Sequence, residues 1–240
     1  MVMQNKRVVI LGGTSGIGLS VAKAVAEAGG QPVVVSRRAE SVEAALATLG
    51  SGAEGETADL SSEAAIADLF TRIGAFDHLA YTAGETLMLQ PLAEMDFATA
   101  HRFLETRFWG AMAAAKYAVP MIRPGGSITF TSGVAGERPP GAGWSLGASI
   151  CAAMDGLTRA LALELAPLRV NLVSPGFVRT PLWRDIAEEE REALFASAGA
   201  KLLTGRVGEP EEIAEAYLFL MQSGFTTGHT LVLDGGGRLV

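Results

Sequence analysis

RVVILGGTSGIGLSVAKAVAEAG, residues 7–29, sets the reading of the whole chain. Four of its first five residues are apolar and three are β-branched, which predicts a buried strand; its last eleven carry apolar side chains at helical spacing. Between them stands Gly12-Gly13-Thr14-Ser15-Gly16-Ile17-Gly18. A glycine turn joining a strand to a helix brings free backbone N–H groups to the helix start, where they bind phosphate. Gly12 is expected to permit the tight turn, Gly16 to let backbone approach a pyrophosphate, and Gly18 to let the helix pack closely on the sheet.

The remaining sequence continues this alternation. Strands are expected at 32–36, 53–57, 78–82, 127–131, 169–174 and 230–233, with helices between them, including long ones over 95–119 and 148–165. Such alternation predicts a Rossmann-type, doubly wound α/β fold: a seven-stranded parallel sheet with helices on both faces and a ligand site at the carboxyl ends of the strands. At 240 residues and 49% hydrophobic, the chain is long enough for one large core, and residues 1–240 are read as one domain. The net charge of −7 and the absence of long Lys/Arg runs argue against nucleic acid or an anionic membrane surface as partner. No signal peptide or bilayer-spanning stretch is expected, so a cytoplasmic location is the default. Cys151, the only cysteine, has no intrachain partner, and no Cys/His cluster has metal-ligand spacing.

The Gly-x3-Gly-x-Gly spacing resembles that of the short-chain dehydrogenase/reductase family. Further similar motifs follow in order: Asp59-Leu60, Tyr81-Thr82-Ala83-Gly84, GSITFTSGVAG (126–136), GLTRALALELA (156–166), RVNLVSPGFVRTP (169–181), RVGEPEEIAEAYLFL (206–220) and TGHTLVLDGG (227–236). The resemblance covers nearly the whole chain. It implies nicotinamide-cofactor contacts at Gly12, Thr14, Ser15, Gly16, Ile17 and Gly18, at Asp59 and Leu60 beside the adenine, at Thr82, Ala83 and Gly84, and at Pro175, Gly176, Val178 and Thr180. It also implies a homodimer or homotetramer, with the Ala-rich long helices pairing between subunits, and a substrate-covering segment at about 181–204.

Cofactor choice is legible after the second strand. The family's NAD-binding members place an acid there to bind the ribose hydroxyls, whereas this chain has Ser36-Arg37-Arg38. A guanidinium at Arg37 matches a 2′-phosphate, with Arg38 and Ser36 as added donors, so NADP(H) is expected. The alternative is a solvated basic turn.

The family's catalytic Ser, Tyr, Lys and Asn do not appear at their expected places. Alignment on the neighbouring motifs puts Gly133, Gly147, Cys151 and Arg107 at those positions, with Ser132 one residue before the first. The absence of Tyr-x3-Lys does not depend on alignment, because the only tyrosines, Tyr81, Tyr117 and Tyr217, are followed four places on by Glu85, Met121 and Met221. Gly147 is expected to leave open room beside the nicotinamide. Arg107 can polarise an oxygen or hold a carboxylate, but stays protonated and so is no general base; an Arg facing a subunit contact or solvent is the alternative. Ser132 is a candidate for binding a substrate oxygen, Cys151 reads better as a small apolar filler than as a catalytic thiol, and His101 reads as a surface or interface residue and not as a base. Phe177, Trp183 and Trp144 are candidates for an apolar pocket. Two functions remain open at this level: an atypical NADP(H)-dependent oxidoreductase, or a non-catalytic NADP(H)-binding sensor or regulator.

Overall fold

The structure, a computed structural model, describes residues 3–84 and 86–240. Seven parallel strands, β1 (Arg7–Leu11), β2 (Gln31–Ser36), β3 (Glu54–Thr57), β4 (Phe76–Tyr81), β5 (Ile122–Thr131), β6 (Arg169–Pro175) and β7 (Thr230–Leu233), form one sheet in the order β3-β2-β1-β4-β5-β6-β7. Strand β1 shows why the sheet needs cover on both sides. Val9 and Leu11 enter one apolar core, while Val8 and Ile10 enter the other, since successive side chains in a strand point to opposite faces. The helices α1 (Gly16–Glu27), α2 (Ala39–Leu49) and α8 (Pro210–Gln222) cover the Val8/Ile10 face. On the other face lie α3 (Glu63–Ile73), α4 (Phe97–Leu104), α5 (Ala111–Ala118) and α6 (Ser145–Glu164); α7 (Glu188–Gly199) belongs to a smaller cluster around Trp183 and Phe195.

Strand order reverses between β1 and β4, where chains leaving the two strands diverge and open a crevice. The expected strands are all present, though β5 begins at Ile122, earlier than the sequence pattern predicts. The helix expected over 95–119 is interrupted: a π-helical turn, Glu105–Gly110, separates α4 from α5. Such a turn breaks the regular backbone ladder. Here the Tyr81 hydroxyl donates to the Thr106 carbonyl at 2.5 Å, from a tyrosine fixed in the core at the end of β4.

One expectation fails on length. Helix α6 has 20 residues and a mean hydropathy of 1.3 over its best window, enough by length and composition to cross a bilayer. Its buried side, Ile150, Met154 and Thr158, is part of the folded core, and Asp155 accepts a hydrogen bond from Thr230 of β7.

Candidate functional site

The cradle takes shape at the carboxyl ends of β1 and β4. Gly12 has φ +88°, a left-handed conformation that favours glycine, and a Cβ there would stand 2.7 Å from the Ala83 backbone. Gly18 is closer still: its Cβ would meet the Gly12 carbonyl at 2.2 Å and Thr82 Oγ1 at 2.4 Å. Thr82 donates to the Leu11 carbonyl at 3.0 Å, tying the two strand ends together beneath the turn. Ser15 occupies the N-cap of α1 without a side-chain cap bond, and the first turn carries no acid, so the amides and the positive end of the helix dipole remain available to an anion. Thr180 and Pro181 close the opposite wall, at 3.4 and 3.2 Å from where a Cβ on Gly16 would stand. Thr180 also accepts a long bond, 3.4 Å, from Leu182 N–H, so its hydroxyl is only weakly engaged.

At the end of β2, Ser36 is half-buried while Arg37 and Arg38 are exposed, and among the described residues neither arginine is in a salt bridge. Asp59, beyond β3, is exposed; two hydrogen bonds from Ser61 and then the nearby Arg37 charge hold its carboxyl below the usual range. Leu60 behind it is buried. An uncapped helix start, glycines where side chains would collide, and two exposed guanidinium groups outside the salt bridges of the described residues all fit a dinucleotide carrying a 2′-phosphate.

Arg107, Gly133 and Cys151 converge although they are remote in sequence. The π turn carries Arg107 so that its guanidinium lies 4.6 Å from the Phe103 ring centroid and against Gly84, where a Cβ would stand 2.7 Å from the guanidinium carbon. Any larger residue at position 84 would evict it. Cys151 Sγ is 3.4 Å from where a Cβ on Gly133 would stand. Burial pushes the Cys151 thiol up, opposed by bonding with Ser132, the Arg107 charge and the Gly136 N–H.

Two expectations change here. Ser132 Oγ donates to the Cys151 carbonyl at 3.0 Å, so its proton serves α6 and not a substrate oxygen. Gly147 does not open onto empty space: it is buried, and the Trp144 indole lies 3.5 Å from where its Cβ would stand. Trp144 and Phe177 pack on the cluster around Trp183, as does Leu87; Phe177 stacks on Trp183 at 5.3 Å. Trp183 is core more than pocket, since it is buried and its Nε1 donates to the Val178 carbonyl. His101 is exposed. Sequence reasoning missed Tyr81 as the support of the π turn and Phe103 as the seat of Arg107; four-residue spacing on a helix was the available signal for the second. Among the described residues no group of His, Cys, Asp and Glu could hold a metal ion.

An SDR-like Rossmann domain model matches residues 2–240. The chain belongs to the short-chain dehydrogenase/reductase family. Within the family it is 34% identical to the short-chain dehydrogenase/reductase malC of Malbranchea aurantiaca, over 98% of this chain and 95% of that protein. It is also 34% identical to carbonyl reductase family member 4 of Danio rerio, over 97% and 98% of the two chains. The solved MalC Reductase/Diels-Alderase superposes with a TM-score of 0.92, covering 100% of this chain and 98% of that one at 34% identity. A small-chain dehydrogenase crystallised in complex with NADPH gives a TM-score of 0.84 at 34% identity, covering 99% and 100%.

Proposed function

We propose that this protein is an NADPH-dependent reductase of activated carbonyl acceptors, quinones, 1,2-diketones and conjugated enones, working without a tyrosine acid. The observation that carries it is the placement of Arg107, pinned between Phe103 and Gly84 on the β4 side of the crevice, with its charge acting on Cys151 on the α6 side. Arg37 and Arg38, free of salt bridges among the described residues, support NADPH over NADH, as does the NADPH complex of the related dehydrogenase. The description of MalC as a reductase supports the reductive direction.

When bound, the cofactor supplies a hydride to an electrophilic carbon, and the displaced electron pair settles on the acceptor oxygen. Arg107 holds that oxygen as its negative charge develops. Its guanidinium keeps its own proton, so the oxygen is protonated by solvent after transfer. That order suits acceptors whose anion is delocalised and disfavours simple ketones, whose alkoxide needs a proton as it forms. The three tyrosine hydroxyls are engaged elsewhere, on Thr106, Glu63 and Thr131. Segment 181–204, built around Trp183 and Phe195, covers the acceptor side in this reading. Self-association belongs to it too, because α6 leaves Ala152, Ala153, Gly156 and Leu163 exposed along one side.

The test is NADPH oxidation across a panel of quinones, diketones, enones and plain ketones. Turnover of the activated acceptors alone is expected, with Arg107→Ala lowering kcat on the order of 100-fold. Tight NADPH binding with no turnover of any acceptor would instead assign a non-catalytic sensor.

A further inference from the structure

Position 147 and the loop before α6 hold a substitution that the reductase reading leaves unused. Gly147 lies in the first turn of α6, one turn before Cys151 on the same face, and the Trp144 indole occupies the space toward which a side chain at 147 would project. Cε3 and Cζ3 of the indole stand 3.5 and 3.9 Å from the absent Cβ. Leu87, three residues past Gly84, packs on the same apolar cluster as Trp144 and Phe177. The loops themselves touch, since a Cβ on Gly143 would stand 3.4 Å from the backbone of Leu89 and Gln90. The loop that follows β4 and the loop that precedes α6 therefore meet, with the Arg107 guanidinium on Gly84 at the base of one and Trp144 at the end of the other.

We propose that Trp144 is the specificity-determining residue of this site, a flat apolar wall in the place of a side chain at 147, which selects planar aromatic carbonyl compounds. The inference rests on the reading that acceptors bind in this crevice. An acceptor of this class lays its ring on the indole and directs its oxygen to Arg107, so an apolar face and a cation are both matched in one molecule. A small aliphatic diketone has the oxygen and not the ring, and gains nothing from Trp144.

The test compares 9,10-phenanthrenequinone with 2,3-butanedione in the wild type and in Trp144→Ala and Trp144→Phe. Two quantities are read: KM in NADPH turnover, and the equilibrium dissociation constant of the quinone from protein saturated with NADP+, by calorimetry. Trp144→Ala is expected to weaken quinone binding and raise its KM about ten-fold or more, to leave the KM of butanedione within about two-fold, and to be largely rescued in Trp144→Phe. Equal effects on both acceptors, a quinone affinity unchanged in Trp144→Ala, or no quinone binding by the wild type would each overturn the proposal. If no acceptor turns over, the reductase reading fails while calorimetry still decides the role of Trp144. Should Trp144→Ala fail to fold, Trp144→Leu, which keeps apolar volume without a flat face, is judged by the same criteria.

Discussion

Arg37 and Arg107 are both cations within one ligand crevice, and their surroundings set different tasks. Arg37 stands in solvent at the end of β2, free to turn its fork toward a phosphate, while Arg107 is fixed by an aromatic ring and a glycine. Replacing Arg37 by Asp removes a charge-assisted contact and adds repulsion. NADPH affinity is expected to fall by about 10- to 100-fold with NADH affinity equal or improved, read by nucleotide fluorescence titration; an unchanged NADPH affinity would remove the 2′-phosphate assignment. Rebuilding the family's residues with Gly133→Ser, Gly147→Tyr, Cys151→Lys and Arg107→Asn meets a steric obstacle. A helical side chain leans toward the helix N-terminus, so the ring of a tyrosine at 147 needs the space of Trp144. The fourfold variant is expected to stay inactive on simple ketones, and to gain measurable NADPH oxidation only when Trp144→Ala is added.

The π turn is the element on which the site depends. Its irregular backbone is supported by the Tyr81 hydroxyl on the Thr106 carbonyl, and Arg107 is the next residue along. Tyr81→Phe removes that hydrogen bond, at a cost of about 1 kcal/mol in urea unfolding. Loss of activity toward activated acceptors beyond the loss of stability would place Tyr81 as a positioning residue for Arg107; full activity would confine it to the fold. Helix α1 has a comparable dependence. Gly18→Ala drives a methyl into the Gly12 carbonyl, so overpacking of about 1–3 kcal/mol and weaker NADPH binding are expected together.

For the molecule as a whole, acid acts from the end opposite the crevice. At the start of β4, His78 is buried on Ser127 Oγ, with Asp77, Arg169 and Lys6 as charged neighbours. Burial is the main cause that pushes its pKa down from 6.5 to about 4, so the unfolded chain takes up the proton first. Stability contributed by neutral His78 is complete above pH 6.5 and is lost as pH falls toward 4, by roughly 3 kcal/mol over that window. Asp77 also titrates below its ordinary value, because bonds from Arg7 N–H, Lys6 and Arg123 outweigh its desolvation; its contribution is lost at still lower pH. Urea midpoints are expected to fall between pH 7 and 4.5 in the wild type and to stay nearly flat there in His78→Asn, measured relative to each protein's own value at pH 7. At the same scale, light scattering is expected to give a dimer or tetramer mass, and Leu163→Arg on the 84%-exposed tip of α6 to lower it.

The glycine turn, the seven strands, the paired arginines after β2 and the lack of a Tyr-x3-Lys were legible in the amino-acid sequence because each is local. A strand's periodicity, a turn's glycines and a residue type's absence require no knowledge of what lies across the fold. Only the tertiary structure decided that Arg107 rests on Gly84 and Phe103, that Ser132 turns to the Cys151 carbonyl, and that Trp144 lies over Gly147. Each pairing joins segments brought together by packing, and a long side chain goes where the surrounding elements leave room and a partner for it. Spacing along the chain fixes neither.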